Sequence, residues 1–279
     1  MIRINYIDIV PKRFPDGTFC LLDIPTDEIN SIMDDLEALN FNWKYESEDE
    51  CILLWYLVNH FRAQVPKNIL FRLTLYYVCN ARMDRCKNPS EVFTLKYFAK
   101  FINSMEFDEV ELFDPHSDVS PALFNNCSVI SPKSCIIKAM RCIPKGECEV
   151  IPYYPDAGCV KRLNGMFPGL YLYGEKNRDW KTGEIIGLEL KGPVDEVWSI
   201  ENKVILIIDD ICSHGGTFYY SAKELKKAFP DTDIYSYATH TENYFPTLQK
   251  AFDEELIEKH FTTNSLYKGE NNKIHVFTC

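Results

Sequence analysis

Two adjacent carboxylates, Asp209 and Asp210, close an apolar run from Val204 to Ile208 and stand just ahead of a glycine pair, Gly215 and Gly216. The run is rich in β-branched residues and too short for a helix, so it reads as a fully buried central strand. Thr217 then opens a helix whose Phe218, Ala222, Leu225 and Phe229 fall on one face and which stops at Pro230. Backbone N–H groups of a glycine turn at a helix start make an anion cradle, and the helix dipole adds to it. The two carboxylates upstream can accept hydrogen bonds from vicinal hydroxyls or hold a divalent cation. An anion cradle beside hydroxyl acceptors suits a sugar phosphate. The same residues also describe an ordinary strand–turn–helix connection with a solvated acidic end. No Gly-Lys-Ser/Thr follows, which rules out a Walker loop, and the GxGxxG spacing of a dinucleotide fold is absent.

The elements that would position this stretch alternate along the whole chain. A helix starting near Ser47 buries Leu54, Leu57, Val58 and Phe61. A strand from about Ile69 to Val78 then delivers the charged segment Asn80-Ala81-Arg82-Met83-Asp84-Arg85. The next helix carries a capping box, with Asn88 as N-cap, Pro89 at the first helical position and Glu91 three on from the cap; Leu95, Phe98, Ala99 and Ile102 form its buried stripe. A strand from Val110 to Phe113 runs into Asp114-Pro115-His116-Ser117-Asp118, where a His flanked by carboxylates suits a metal or a structural hydrogen-bonded role. Beyond a break at Pro144-Lys145-Gly146, another strand ends at Pro155-Asp156-Ala157-Gly158. Leu170 to Tyr173 leads into a polar loop, Gly174 to Gly183, that carries Lys176, Arg178 and Lys181. Ile234 to Ala238, a helix near Thr247 to Glu258 and Ile274 to Phe277 close the chain. Alternating βα units mean a parallel-rich α/β architecture, and ligands in such sheets gather at the carboxyl ends of the strands, where these polar segments lie.

The 279 residues suit two domains, expected as 1–143 and 144–279, with 46% hydrophobic and 25% charged residues. A formal charge of −11 argues against nucleic acid as a partner, and an anionic substrate then needs local Lys and Arg. No apolar run is long enough to span a bilayer and the first residues lack a signal peptide's pattern, so the cytoplasm is the expected location. Eleven scattered Cys without CxxC pairs read as reduced thiols rather than a zinc site.

Several strand ends, taken in order, resemble the ribose-phosphate pyrophosphokinase family. The apolar strand, two Asp and GGT resemble the phosphoribosyl-diphosphate signature, which phosphoribosyltransferases share. Asn80 to Arg85 resembles the family's ATP-binding YARQDR, Asp114 to His116 its DLH, Pro155 to Gly158 its PDAGG followed by Lys161-Arg162, and Ala238-Thr239-His240 its late YATH. Lys176 and Arg178 match the first and third residues of its catalytic KRR loop, and Phe14 and Asp16 a turn that reaches the adenine of a neighbouring subunit. Departures are Thr18 for Glu, Met83 for Gln, Asn177 for the middle basic residue, and Ser213 and His214 for Asp and Thr. The pattern is most similar to a short, phage-type branch of the family that includes ADP-ribose pyrophosphokinases associated with rebuilding NAD, which would place the protein in a host cytoplasm.

The resemblance implies two tandem phosphoribosyltransferase-like (type I) domains, each a parallel-rich sheet flanked by helices, the first serving ATP and the second the ribose phosphate. It implies transfer of the β,γ-diphosphate of ATP to the anomeric 1-hydroxyl of ribose 5-phosphate or ADP-ribose, releasing AMP. Lys176 and Arg178 would be catalytic. Asp209, Asp210, Ser213, His214, Gly215, Gly216 and Thr217 would bind the ribose and its phosphate. Phe14, Asp16, Arg82, Asp84 and His116 would bind ATP, and His116 and Asp156 would hold Mg²⁺. An ATP site completed by Phe14 and Asp16 implies a homo-oligomer, a dimer or higher. The alternatives are a phosphoribosyltransferase and a non-catalytic associated subunit.

Overall fold

The protein is described from a computed structural model that covers residues 1–33, 37–144, 148–163, 165–178 and 185–279. The chain divides into two compact units, Met1–Ser131 and Pro132–Cys279. Apolar residues at the spacing of strands and helices form a separate core in each, around Phe41, Trp43, Leu54, Phe61 and Leu73 in the first and Tyr153, Ile205, Ile207, Phe218 and Leu225 in the second. The division falls ahead of the Pro144-Lys145-Gly146 break expected from the sequence. The reason is the helix that starts at Lys133, which packs on a strand of the second sheet.

In the first unit β1 (Ile2–Ile4) and β2 (Ile7–Ile9) form a hairpin, and β3 (Lys12–Arg13) and β4 (Phe19–Cys20) a separate ribbon. Then follow α1 (Thr26–Met33), β5 (Ala38–Trp43), α2 (Glu50–Gln64) and β6 (Leu70–Leu75). The unit ends with α3 (Thr94–Asn103), β7 (Glu109–Phe113), α4 (Val119–Leu123) and β8 (Cys127–Ile130). Its sheet has the order β2-β1-β5-β6-β7-β8, with β5 to β8 parallel. The stripes on α2 and α3 are buried as their spacing requires. Two boundaries differ from the sequence expectation. β6 stops at Leu75 rather than near Val78. The Asn88–Glu91 capping box does not form: Asn88 Oδ1 accepts from Ser90 N at 3.0 Å and Glu91 Oε2 from Lys87 N at 2.8 Å, bonds that close an isolated turn, and α3 begins at Thr94.

The second unit contains α5 (Lys133–Cys142), β9 (Glu149–Tyr154), α6 (Ala157–Leu163), β10 (Leu172–Arg178), β11 (Ile185–Lys191) and α7 (Val194–Trp198). It continues with β12 (Lys203–Cys212), α8 (Gly216–Ala228), β13 (Asp233–Thr241), α9 (Pro246–Asp253), β14 (His260–Thr263) and β15 (Ile274–Phe277). The sheet order is β11-β10-β9-β12-β13-β14-β15, parallel except for β11. The chain leaves β9 for β10 on one side and β12 for β13 on the other, so strand order switches between β9 and β12. Crevices at the carboxyl ends of such a pair are where ligands bind in open α/β sheets. The helix expected to reach Glu258 ends at Asp253, where Glu255 adopts a φ of 54° and breaks the helical repeat. No helix among the described residues is long and apolar enough to cross a membrane, and none of their cysteines forms a disulfide.

Candidate active site

β12 is longer than its apolar run suggests, because β13 pairs with it out to Cys212↔Thr241. On its other side β9 stops pairing at Ile207↔Tyr153. Asp209 and Asp210 therefore lie inside a strand, on the segment that outruns β9, rather than after its end. Asp210 is 4% exposed and ion-paired to Arg162 of α6, Nη2 to Oδ1, at 3.2 Å. Asp209 is half-buried, and its Oδ1 accepts from the Asp210 N–H at 3.0 Å. Burial first, and the Asp210 carboxylate second, hold the Asp209 carboxyl well above the usual carboxylate range, while Arg162 pulls it the other way. A hydroxyl donor or a cation relieves a carboxylate held in this way.

α6 locks this end of the sheet together. Asp156 follows β9 and caps α6, its Oδ1 accepting from Cys159 N at 3.0 Å. Cys159 in turn donates its thiol to Ile208 O at 3.1 Å. One short helix thus ties Asp156 to the strand that carries Asp209 and Asp210.

The glycine turn is built by α9. His214 O accepts from Thr247 N at 2.9 Å and from Leu248 N at 3.1 Å, so the loop carbonyl satisfies two first-turn donors of α9. Gly215 sits at φ 87°, and a Cβ there would lie 2.4 Å from the Leu248 Cβ. Only glycine fits both demands. A Cβ on Gly216, by contrast, would point into open space. Among the described residues no protein acceptor takes the backbone N–H groups of 213–217, the donors left over at the start of α8. The turn is thus open, with unspent backbone donors at the start of α8. Ser213 and Thr217 are half-buried and His214 is exposed.

Two residues at this rim went unassigned in the sequence. Glu242 accepts from Ser213 Oγ at 2.6 Å, and its own N–H donates to Cys212 O at 2.8 Å. Tyr244, 69% exposed, meets the His214 ring edge to face, with centroids 5.6 Å apart and planes at 86°. Arg162 is the third unassigned residue. All three come from elements remote in sequence, and only the register of β12 with β13 and the seat of α6 bring them in.

Lys176 and Arg178 lie on β10, opposite Leu188 and Ile185 of β11, and not in a loop. The expected loop began at Gly174, but its first residues pair as a hairpin, and 179–184, including Lys181, lie outside the described residues.

In the first unit the carboxyl ends of β5 and β6 open a cleft of about 230 Å³, lined by Tyr45, Glu48, Tyr77, Asn80, Arg82 and Met83. Tyr45 and Tyr77 each stand two residues beyond strands paired at Trp43↔Leu75, and their rings meet at 5.8 Å. Burial pushes the Tyr45 phenol up to about 12. Arg82 is exposed at this cleft, while Asp84 is buried and accepts from Arg85 Nε at 3.1 Å. His116 is half-buried past β7, and in the same segment the buried hydroxyls of Ser117 and Ser120 have no protein partner. Phe14 and Asp16 form the β3–β4 turn. Phe14 is exposed, and Asp16 Oδ1 accepts from Thr18 N and Oγ1 at 3.0 and 2.7 Å, which lowers its pKa.

No group of three or more metal-ligating side chains occurs among the described residues. Mg²⁺ keeps several waters and needs only one or two protein ligands when substrate phosphates supply the rest. In the first unit His116 shares a segment with the two orphaned hydroxyls, and in the second Asp156 has one oxygen turned to capping α6.

Two α/β units, each with a parallel-rich sheet flanked by helices and the second carrying two Asp and a glycine cradle, define a tandem phosphoribosyltransferase-type protein. In a crystal structure of phosphoribosylpyrophosphate synthetase from Mycobacterium smegmatis the same fold covers 96% of this chain and 85% of that one, with a TM-score of 0.68 and 15% identity. The chain is 25% identical over 260 residues to the ribose-phosphate pyrophosphokinase of Pyrococcus abyssi, covering 90% of this chain and 83% of the relative. It is 28% identical over 200 residues to that of Mycoplasma genitalium, covering 69% of this chain and 57% of the relative, little more than half its length. No family model matches the chain. Along most of its length the chain is thus similar in sequence to ribose-phosphate pyrophosphokinases, and it shares the fold of a phosphoribosylpyrophosphate synthetase.

Proposed function

We propose that the chain is a diphosphotransferase, moving the β,γ-diphosphate of ATP to the anomeric 1-hydroxyl of a 5-phosphorylated ribose. The observation that carries this is the open glycine turn beside Asp209 and Asp210, an acceptor site for vicinal hydroxyls and a phosphate at one strand end. The new bond joins the sugar 1-oxygen to the β-phosphorus, the bond from that phosphorus to the α,β-bridging oxygen breaks, the 1-hydroxyl proton is lost and AMP leaves. Such a transfer depends on in-line positioning and charge neutralisation more than on covalent chemistry.

Asp209 and Asp210 accept from the ribose hydroxyls, with Asp210 held in place by its ion pair to Arg162. The N–H groups of 213–217 grip the 5-phosphate. Lys176 and Arg178 stabilise charge on the β-phosphorus as it is attacked. Arg82, Asp84 and the Tyr45–Tyr77 cleft bind the nucleotide, the first unit serving ATP and the second the sugar. His116 and Asp156 would each offer a ligand to Mg²⁺, which would supply neutralising charge to the phosphate oxygens. Phe14 and Asp16, exposed on the β3–β4 ribbon, serve the nucleotide of a second copy in a homo-oligomer.

The relatives' name points to ribose 5-phosphate as acceptor. ADP-ribose, the acceptor of the phage-type branch, presents the same reactive end, and the exposed His214 and the open space at Gly216 favour it as a second reading. Incubating the chain with Mg–ATP and either acceptor, and following AMP by mass spectrometry, tests the proposal. AMP forms only with an acceptor present, and Lys176→Ala lowers the rate by about two to three orders of magnitude. No AMP with either acceptor overturns the proposal, as does pyrophosphate release that needs a free base and no ATP.

A further inference from the structure

A buried histidine that the proposed chemistry does not use stands beneath the glycine turn. His260 lies in β14, in register with Ser236 of β13 and Ile274 of β15, and is 0% exposed. Both ring nitrogens are spent: Nδ1 is 2.8 Å from Ser236 Oγ and Nε2 is 2.9 Å from Thr241 Oγ1. A neutral imidazole has one N–H and one lone pair, so it donates to one hydroxyl and accepts from the other. Both hydroxyl residues are fully buried, and an apolar side chain at 260 would leave them without a partner. The ring of Phe218 meets the imidazole edge to face, with centroids 5.4 Å apart and planes at 77°.

These contacts reach both stems of the turn. Thr241 is paired with Cys212, the residue before Ser213, and Phe218 is the residue after Thr217. Phe218 is itself fully buried, so its ring is fixed by close packing. The N–H groups of 213–217 are aimed only as well as these two stems are held. Titratable groups on the neighbouring elements are engaged elsewhere: His240 with Ser265 Oγ, Glu242 with Ser213 Oγ, Tyr219 with Glu254, and His275 against Phe261. Neither these nor Lys259, next to it in the chain, act on the His260 ring, which burial alone pushes down to about 3.

We infer that His260 is the positioning residue of the 213–217 turn: its ring braces the β12–β13 stem through Thr241 and the α8 stem through Phe218, and so aims the backbone donors at a phosphate. The inference rests on the reading of that turn as the acceptor site and adds a residue that acts on it from below.

The test combines calorimetric titration of the full chain with ribose 5-phosphate and with ADP-ribose, KM for Mg–ATP, and urea unfolding. The two hydroxyls separate positioning from plain stability. Thr241→Val cuts the link to the stem and weakens acceptor binding by about tenfold, with KM for Mg–ATP within about twofold of wild type. Ser236→Ala cuts the bond at the other ring nitrogen, lowers the unfolding midpoint and leaves acceptor affinity within about twofold. His260→Gln, whose amide reaches the place of Nε2, keeps acceptor affinity, and His260→Asn, whose amide reaches only that of Nδ1, loses it. The unfolded chain protonates this histidine near 6.5 and the folded chain only near 3, so wild type loses stability as pH falls between the two, by up to about tenfold in the unfolding constant per pH unit. His260→Gln lacks that component. Equal loss of acceptor affinity in Thr241→Val and Ser236→Ala, no loss in either while AMP still forms, or an unchanged pH slope in His260→Gln overturns the role of His260 and leaves the acceptor site standing. Failure of wild type to bind either acceptor, with no AMP formed, overturns the reading of the turn and this inference with it.

Discussion

Asp209 stores a conflict that a hydroxyl donor or a cation would relieve. Its carboxyl is held above the ordinary range by burial and by Asp210, and Arg162, which pulls it the other way, is ion-paired to Asp210 at 3.2 Å. Removing the charge while keeping the shape relieves the ligand-free protein and disables the site. Asp209→Asn is therefore expected to raise unfolding free energy by about 1 kcal/mol in urea titration and to lower turnover by about 100-fold or more. A variant that is less stable than wild type at neutral pH would show that Asp209 is satisfied by the protein alone. The carboxylates and the glycine pair were legible in the sequence because they are contiguous and their types carry the chemistry. Arg162 was legible only as part of a resemblance, and Glu242 not at all, since nothing local ties either to the turn. Ser213 stood out as a departure from its family, but the carboxylate that holds it was invisible until β13 was laid beside β12.

At the scale of elements, the turn depends on α9 as much as on the strand and helix that flank it. Two N–H groups of α9 hold His214 O, and Leu248 leaves no room for a Cβ at Gly215. Gly215→Ala combines a left-handed φ with an overlap against Leu248, and is expected to cost about 3 kcal/mol or more, read as a lowered denaturation midpoint. Gly216→Ala meets only open space and costs far less stability, so the pair separates the structural glycine from the one that keeps the cradle clear. The buried stripes of α2, α3 and α8 were plain from spacing, because burial of one face is a local pattern. Element ends were not. β12 runs past its apolar core because β13 is there to pair with it, and β10 runs through Lys176 to Arg178 because β11 folds back on it. Asn88 and Glu91 spend their side chains on Ser90 N and Lys87 N instead of on each other's N–H groups, so they close a turn and start no helix.

The whole molecule spreads the proposed chemistry over two units with separate cores: the nucleotide residues in Met1–Ser131, and the sugar, phosphate and catalytic residues in Pro132–Cys279. A net charge of −11 means that the two proposed anionic substrates would have to be won by local groups, for which the backbone donors of 213–217 and the basic residues of β10 and the Arg82 segment are the candidates. The tandem architecture was legible because βα alternation repeats on both sides of a break, whereas the boundary at 131 was not, since α5 joins the second core by packing rather than by sequence signal. The central claim is that an intact diphosphoryl group moves from ATP to the sugar. Mg–ATP labelled with ³²P at the γ position in one reaction and the α position in another, each with excess acceptor, measures this directly. The γ label is expected to appear in the sugar product in equal amount to the α label in AMP. Recovery of the γ label as free phosphate or pyrophosphate, with the sugar unlabelled, would contradict the account.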